Sequence, residues 1–273
     1  MNPPRARSAG TDATRKTRSA KRRSRSAMRW LRDQLAVVLT AIALAVVLRA
    51  VVIEPFRIPS ESMMPTLLSG DHVFVAKWVF GPRLPLVGAR LPAVREPRRG
   101  EVVVFELGKQ GHEIAPRDLR PDLPVERFVK RIVGLPGDRV ESRGGELWVN
   151  RKRVDAWPTG EIWVDGTGRR LAGWHENLST GEHRLARSRS RATADFSWDV
   201  PAGRYFVMGD RRDQSMDSRT LGTVPREDLI GPVWVVYWSW AERPGTARTA
   251  SMWGGFWDRL QHTRWKRIGE TVQ

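Results

Sequence analysis

Hydrophobic and polar positions divide the chain into three textures. Residues 1–32 carry almost no apolar side chains. Leu35 to Ile53 (LAVVLTAIALAVVLRAVVI) are apolar apart from Thr40 and Arg49, and beyond them short apolar runs alternate with turns rich in Gly and Pro. As a helix at 1.5 Å per residue, the run Leu35–Ile53 spans roughly 28 Å, close to the hydrocarbon thickness of a bilayer. A cleaved signal peptide would have a shorter apolar stretch followed by a small-residue cleavage site, whereas here Arg49-Ala50 leads into further valines. The pattern predicts a transmembrane anchor over residues 33–53, with Arg49 near its end able to snorkel toward headgroups.

The later runs are His72–Lys77, Glu101–Leu107, Arg127–Val133, Glu146–Asn150, Arg204–Met208 and Val233–Trp240. β-Branched and aromatic residues dominate them, and turn signals such as Leu135-Pro136-Gly137-Asp138 bound them. They do not alternate with long helical patterns, which argues against a parallel βαβ sheet. The expected fold is mainly β: one N-terminal transmembrane helix, then an antiparallel β-sheet domain from residues 54–141 and 201–245. The more polar stretch 142–200 is expected to form a smaller inserted β lobe. Residues 246–273 read as an amphipathic segment, because Trp253, Phe256, Trp257, Leu260 and Ile268 fall within an arc of about 120° at helical spacing. Such a segment suits a membrane interface; Gly254-Gly255, and Arg264 and Arg267 in the same arc, count against it.

Charge sharpens the picture. The net charge is +17, from 47 Lys and Arg against 30 Asp and Glu, but residues 1–32 alone hold eleven of those cations and one acid, Asp12. The high pI therefore describes a basic tail, too poor in apolar residues to fold alone, and no nucleic-acid partner is expected. Basic residues before the span place the tail in the cytoplasm and the remainder outside. With no cysteine in the chain, disulfides, thiolate metal sites and thiol nucleophiles are excluded.

Phosphate loops, paired metal-ligand spacings and the G-x-S-x-G elbow are absent, and none of the five histidines sits in a serine-protease triad order. His72, ten residues from Ser62, opens a predicted strand and reads as a rim residue. Three segments carry chemistry instead. The first is Ile58-Pro59-Ser60-Glu61-Ser62-Met63-Met64-Pro65-Thr66-Leu67, stiffened by two prolines just beyond the span. The second, Arg127 to Asp138, puts Lys130 on the strand face shared with Phe128 and Ile132; a lysine desolvated there loses basicity and becomes a neutral amine able to accept a proton. The third is a dense polar loop after a strand, Met208-Gly209-Asp210-Arg211-Arg212-Asp213-Gln214-Ser215-Met216-Asp217-Ser218-Arg219.

Together, and in this order after an anchor, these segments resemble the boxes of bacterial type I signal peptidases, membrane-bound serine proteases that use a Ser/Lys dyad. The resemblance covers about residues 35–240. It implies Ser62 as nucleophile and Lys130 as general base. Ser60 would join the Ser62 backbone N–H in the oxyanion hole, Ser215 would orient the lysine amine, and Asp217, Arg219 and Arg131 would form a supporting salt-bridge group. It implies no cofactor or metal, a monomer, and the signal peptides of exported preproteins, cleaved after small residues on the outer face of the cell membrane, as substrate. Arg211 and Gln214 stand where that family usually has Asn, and Glu61 where it often has Gly. Two other readings use part of the same pattern. A membrane-anchored binding module accounts for the tail and span but not for the three boxes. The Ser/Lys self-cleaving repressors share the dyad but carry a DNA-binding domain and no span. The orientation is testable: external protease on intact, wall-stripped cells should digest residues 54–273 and spare the tail, and the opposite pattern would reverse the topology.

Overall fold

The computed structural model describes residues 30, 32–84, 89–107, 126–178, 181–188, 194–241 and 260–272. Most of the basic tail, and Trp253, Phe256 and Trp257 of the expected amphipathic segment, lie outside these residues. The chain divides into two units, residues 1–49 and 50–273. In the first, residues 32–47 are α-helical, and the large aliphatic side chains Leu35, Val37, Val38, Leu39, Ile42, Leu44, Val46 and Val47 are all more than half exposed. At Leu48 the backbone widens into a π-helical turn that runs to Val52. Among the described residues no helix is long and apolar enough to cross a membrane.

The expected span to Ile53 therefore ends early. Ile53 is β-branched and favours extended backbone, and Pro55, two residues on, cannot continue a helix. Ile53 instead opens β1 (Ile53–Arg57), paired antiparallel with β2 (Asp71–Ala76). β1 is an edge strand, the position in a sheet that tolerates Pro55.

The remaining strands are β3 (Val102–Leu107), β4 (Glu126–Gly134), β5 (Arg139–Arg143), β6 (Glu146–Val149), β7 (Lys152–Arg153), β8 (Asp155–Val164), β9 (Arg170–Asn177), β10 (Glu182–Ser188), β11 (Phe196–Asp199), β12 (Arg204–Met208), β13 (Val224–Pro225) and β14 (Leu229–Ser239). The paired strands are antiparallel, as the short runs without intervening helices require. They form a seven-stranded sheet in the order β1-β2-β14-β3-β4-β12-β13, a four-stranded sheet β11-β5-β6-β7 and a three-stranded sheet β10-β9-β8. All six strand runs read from the sequence are strands here. The Leu135–Asp138 turn joins β4 to β5: Gly137 has φ +86° and follows Pro136, while the Asp138 carboxylate accepts the Leu135 N–H at 2.5 Å.

Three apolar clusters involve the large sheet. One gathers Val73, Val75, Val102, Val104, Val129 and Val236 around Ile58, Met63 and Leu67, so the loop between β1 and β2 is itself part of the core. Another holds Phe80, Val103, Phe105, Ile132 and Val207. A third, with Val133, Val140, Val200 and Phe206, bridges β4 and β12 to β5.

Residues 260–272 do not follow the helical projection. Only short helical pieces occur, and the backbone runs along β14, with hydrogen bonds from Arg264 N–H to Ser239 O, Val236 N–H to Glu270 O, Gly269 N–H to Val236 O and Val272 N–H to Trp234 O. The strand's free backbone groups set the course of this segment, so its side-chain period is not that of a helix.

Gly134 sits at a tight joint between the large sheet and β5 of the four-stranded sheet. A methyl there would lie 2.6 Å from Val140 Cγ2, 2.9 Å from Phe206 Cβ and 3.0 Å from Val200 Cγ2. Gly134→Ala should destabilise the fold by about 1–3 kcal/mol, the usual cost of overpacking, read as a lower midpoint in denaturant. An unchanged midpoint would show that β5 can move away freely.

Candidate active site

The loop between β1 and β2 carries Ser62. Its ends close on each other through Ile58 N–H to Asp71 O and Gly70 N–H to Ile58 O, and Met63 and Leu67 anchor it in the core. Strand β4 carries Lys130, in register with Val103 on β3 and one residue before Arg131, which pairs with Met208 on β12. A residue at the centre of a sheet has a fixed backbone, so the amine is aimed by the sheet itself.

Lys130 Nζ lies 2.7 Å from Ser62 Oγ. Ser60 Oγ lies 3.2 Å from the same hydroxyl. Lys130 is only 3% exposed, and its amine sits 5.8 Å from the centre of the Phe128 ring. Burial lowers its pKa from 10.5 to about 8; Asp217 and Asp210 pull it back up, and Arg219 adds to the lowering. A large share of the amine is thus neutral in mildly alkaline water, and a neutral amine can accept the proton of the hydroxyl it touches.

The loop after β12 supports this pair. Arg211 N–H donates to Ser62 O at 3.0 Å, which holds the serine's own carbonyl. Gly209 is packed so closely that a methyl on it would lie 2.5 Å from Ser62 O and 2.3 Å from Ser215 Oγ. Ser215 is thereby brought to the site, but no hydrogen bond joins its buried hydroxyl to Lys130. It lies near the Asp217 carboxylate and helps keep it ionised, without close hydrogen-bond geometry. Asp217 accepts from Arg219 at 2.8 and 2.7 Å and from Gly209 N–H at 2.9 Å. Burial opposes its charge, yet Arg219 and these donors keep its pKa below the usual carboxylate value.

The supporting ion pairs are two groups, not one. The Arg131 guanidinium forks onto Asp210, with both bonds at 2.8 Å, and donates to Gly100 O, while Asp217 pairs with Arg219. Asp210 also accepts the Thr66 hydroxyl at 2.5 Å, tying β4 to the residue four places after Ser62. Asp210 and Thr66 have no individual signature in the sequence. In a loop with six charged residues among twelve, nothing marks which acid is buried.

Glu61 and Arg211, two of the departures from the family pattern, meet each other. Arg211 donates to Glu61 at 2.9 Å and to the buried Asp165 at 2.6 Å, and Glu61 accepts Gly166 N–H at 2.8 Å. This links the β8–β9 turn to both residues 61 and 62. Beside it opens a cleft of about 610 Å³, lined by Pro59, Ser60, Met64, Leu68, Trp163 and Val164 among others. Further in, Arg212 forks onto the fully buried Glu176, with His183 Nε2 3.3 Å from that carboxylate. Burial, then the nearby Arg131, lower the His183 pKa. Among the described residues no cluster of His, Asp and Glu could hold a metal ion.

The family described as signal peptidase, peptidase S26, matches residues 30–238. Signal peptidase I of Pseudomonas aeruginosa is 37% identical over 212 residues, covering 73% of this chain and 69% of the relative. Signal peptidase I of Rickettsia typhi is 32% identical over 217 residues, covering 72% and 76%. A solved signal peptidase I from Enterococcus faecalis V583 aligns with 51% of this chain and 98% of its own at 24% identity, with a TM-score of 0.32. The family match spans most of the chain and contains all three polar segments, and on that ground the chain belongs to the signal peptidases of family S26, which are serine endopeptidases.

Proposed function

We propose that this protein is a membrane-anchored serine endopeptidase that removes signal peptides from exported preproteins, with Ser62 as nucleophile and Lys130 as general base. The single observation that carries the reading is the 2.7 Å contact between Lys130 Nζ and Ser62 Oγ, made by an amine that burial has brought to a pKa of about 8. In the neutral state Nζ accepts the Ser62 proton as Oγ adds to the scissile carbonyl. The resulting oxyanion is met by the Ser60 hydroxyl and the Ser62 backbone N–H, donors worth about 3 kcal/mol each in such sites. Collapse breaks the C–N bond, and the lysine ammonium gives its proton to the departing amine. A water molecule, deprotonated by the same lysine, then hydrolyses the acyl-enzyme and restores Ser62. Arg219 and Arg131 hold Asp217 and Asp210, so that these carboxylates do not drive the amine fully to its charged form.

The cleft beside Ser60, apolar at Pro59, Met64, Leu68, Trp163 and Val164 and charged at Glu61, Asp165 and Arg264, would take an extended chain by strand addition. Anchoring rests on the run Leu35–Ile53 and on the exposed aliphatic side chains of its helical part. Ser62 follows that run by only nine residues, a tether of at most about 30 Å. The basic tail before the run supports a cytoplasmic N-terminus and an external catalytic domain. Both dyad members come from one chain, and the scheme uses no cofactor.

Cleavage of a preprotein should be lost in Ser62→Ala and, to about the same extent, in Lys130→Ala, because the two residues act as one unit. Lys130→Arg should fail as well, since a guanidinium stays protonated. Only the neutral amine works, so kcat/KM should rise with pH, with its acidic limb centred near 8, below the 10.5 of a free lysine and above the ~6.5 expected of a histidine base. A folded Lys130→Arg enzyme with near-normal turnover would overturn the mechanism even if Ser62 proved essential.

A further inference from the structure

The family match ends at residue 238, yet the chain continues and returns to the nucleophile loop. Residues 260–272 lie along β14, and two of their arginines reach across to Asp71, the first residue of β2. Arg267 donates to both Asp71 oxygens, at 2.7 Å in its shortest bond, and to Thr66 O at 2.9 Å. Arg264 donates to Ser69 O at 3.1 Å from each of two nitrogens and approaches Asp71 at 3.4 Å. Asp71, fully buried, also accepts Leu68 N–H at 2.8 Å and the Ser239 hydroxyl at 2.6 Å.

The consequence for Ser62 follows from the loop's own bonding. Carbonyls 66 and 69 belong to its second half, where Pro65 has no N–H to give, and they accept from the two arginines in place of a regular ladder. The Thr66 carbonyl accepts from Arg267, while its hydroxyl donates to Asp210 at 2.5 Å and makes longer contacts of 3.3 Å to Arg184 O and Arg131. These ties fix one residue of the loop between the C-terminal segment and the Arg131–Asp210 pair beside Lys130. If one tie is lost, the loop between Ser62 and Asp71 can shift, and a shift of about 1 Å at a reacting atom can cost on the order of 100-fold in rate.

We propose that residues 260–272 form a strap that positions the nucleophile loop, with Arg267 as its principal positioning residue, acting through Asp71 and Thr66. This rests on the assignment of Ser62 as nucleophile. Arg267 touches no reacting atom. Its removal should therefore lower kcat and leave KM nearly unchanged, unlike damage to the substrate cleft.

The test compares full-length wild type, Ser62→Ala, Arg267→Gln and Arg267→Lys on a purified preprotein in detergent, together with amide hydrogen exchange. For Arg267→Gln we expect kcat to fall by about 10- to 100-fold with KM within about twofold. Exchange should quicken in residues 63–69 while β3 and β4 keep wild-type protection. Arg267→Lys keeps the charge opposite Asp71 but loses the fork, and should fall between the two. If wild type cleaves and Ser62→Ala does not, yet Arg267→Gln turns over normally with unchanged exchange in 63–69, the strap proposal fails and the peptidase reading stands. If Arg267→Gln loses protection throughout the sheet, the role is general stability and the proposal fails likewise. Cleavage by Ser62→Ala at the wild-type rate would instead remove the nucleophile assignment. As an independent variant, a chain ending at residue 259 should show the same selective loosening of 63–69, and an unaltered loop there would also overturn the strap.

Discussion

A lysine amine kept out of water is the constraint on which the rest of the site depends. Lowering Lys130 from 10.5 to about 8 corresponds to about 3 kcal/mol of penalty on the charged form. The folded protein bears that penalty whenever the amine is protonated. Between about pH 8 and 10.5 the unfolded chain binds the proton and the folded chain does not, so stability rises with pH across that window and the penalty is fully present below it. Only a well-packed sheet can absorb such a cost. That accounts for the position of Lys130 on the inner strand β4, with β3 and β12 on either side and Phe128 and Ile132 on its own face. The arrangement places a weakened base where the fold is strongest.

The same low-dielectric surroundings that make the amine neutral would make any unpaired carboxylate nearby expensive and disruptive. Both acids that act on Lys130 are neutralised locally, Asp217 by Arg219 and Asp210 by Arg131. Each pair also shapes the backbone around the site, because Asp217 grips Gly209 N–H and Asp210 grips Thr66. Buried ion pairs are weak evidence for stability, but breaking one by removing a partner typically costs about 3–5 kcal/mol. They are better understood here as devices that keep charge away from the amine and hold the loops around it in place.

How much of this is legible in the sequence depends on the range of the interaction. Strands β2, β3, β4, β6, β12 and β14 are readable because β-branched runs between turns are a local signal. Lys130 stands out because alternation alone puts a charge on the face of Phe128 and Ile132. The long polar strands β8, β9 and β10 give no such signal, since their side chains alternate weakly and their partners are one another. Ile53 reads as part of the apolar span because hydropathy does not distinguish a helix from an apolar edge strand; Pro55, two residues later, is the available clue. The resemblance groups Arg131 with Asp217 and Arg219, whereas in the fold Arg131 forks onto Asp210. Which acid faces which arginine is settled by strand register, and register is not written in a local pattern. Arg264 and Arg267 spoil a helical projection, and in the fold they reach Asp71 and the carbonyls of Ser69 and Thr66 while the backbone beside them pairs with β14.

Ser62 and Lys130 are 68 residues apart, so no local segment can hold their 2.7 Å contact. The loop that carries Ser62 is too short and too rich in proline to build its own hydrogen-bond ladder. It is fixed from outside, by backbone closure at Ile58 and Asp71, by Met63 and Leu67 in the core, by Arg211 at the Ser62 carbonyl, and by Arg131 through Asp210 at Thr66. These restraints come from β2, β4 and the loop after β12, elements that meet only when the large sheet has closed. A serine hydroxyl is an ordinary alcohol until the base is beside it. The Ser62–Lys130 contact is therefore a property of the completed sheet, and a partly folded chain does not hold it.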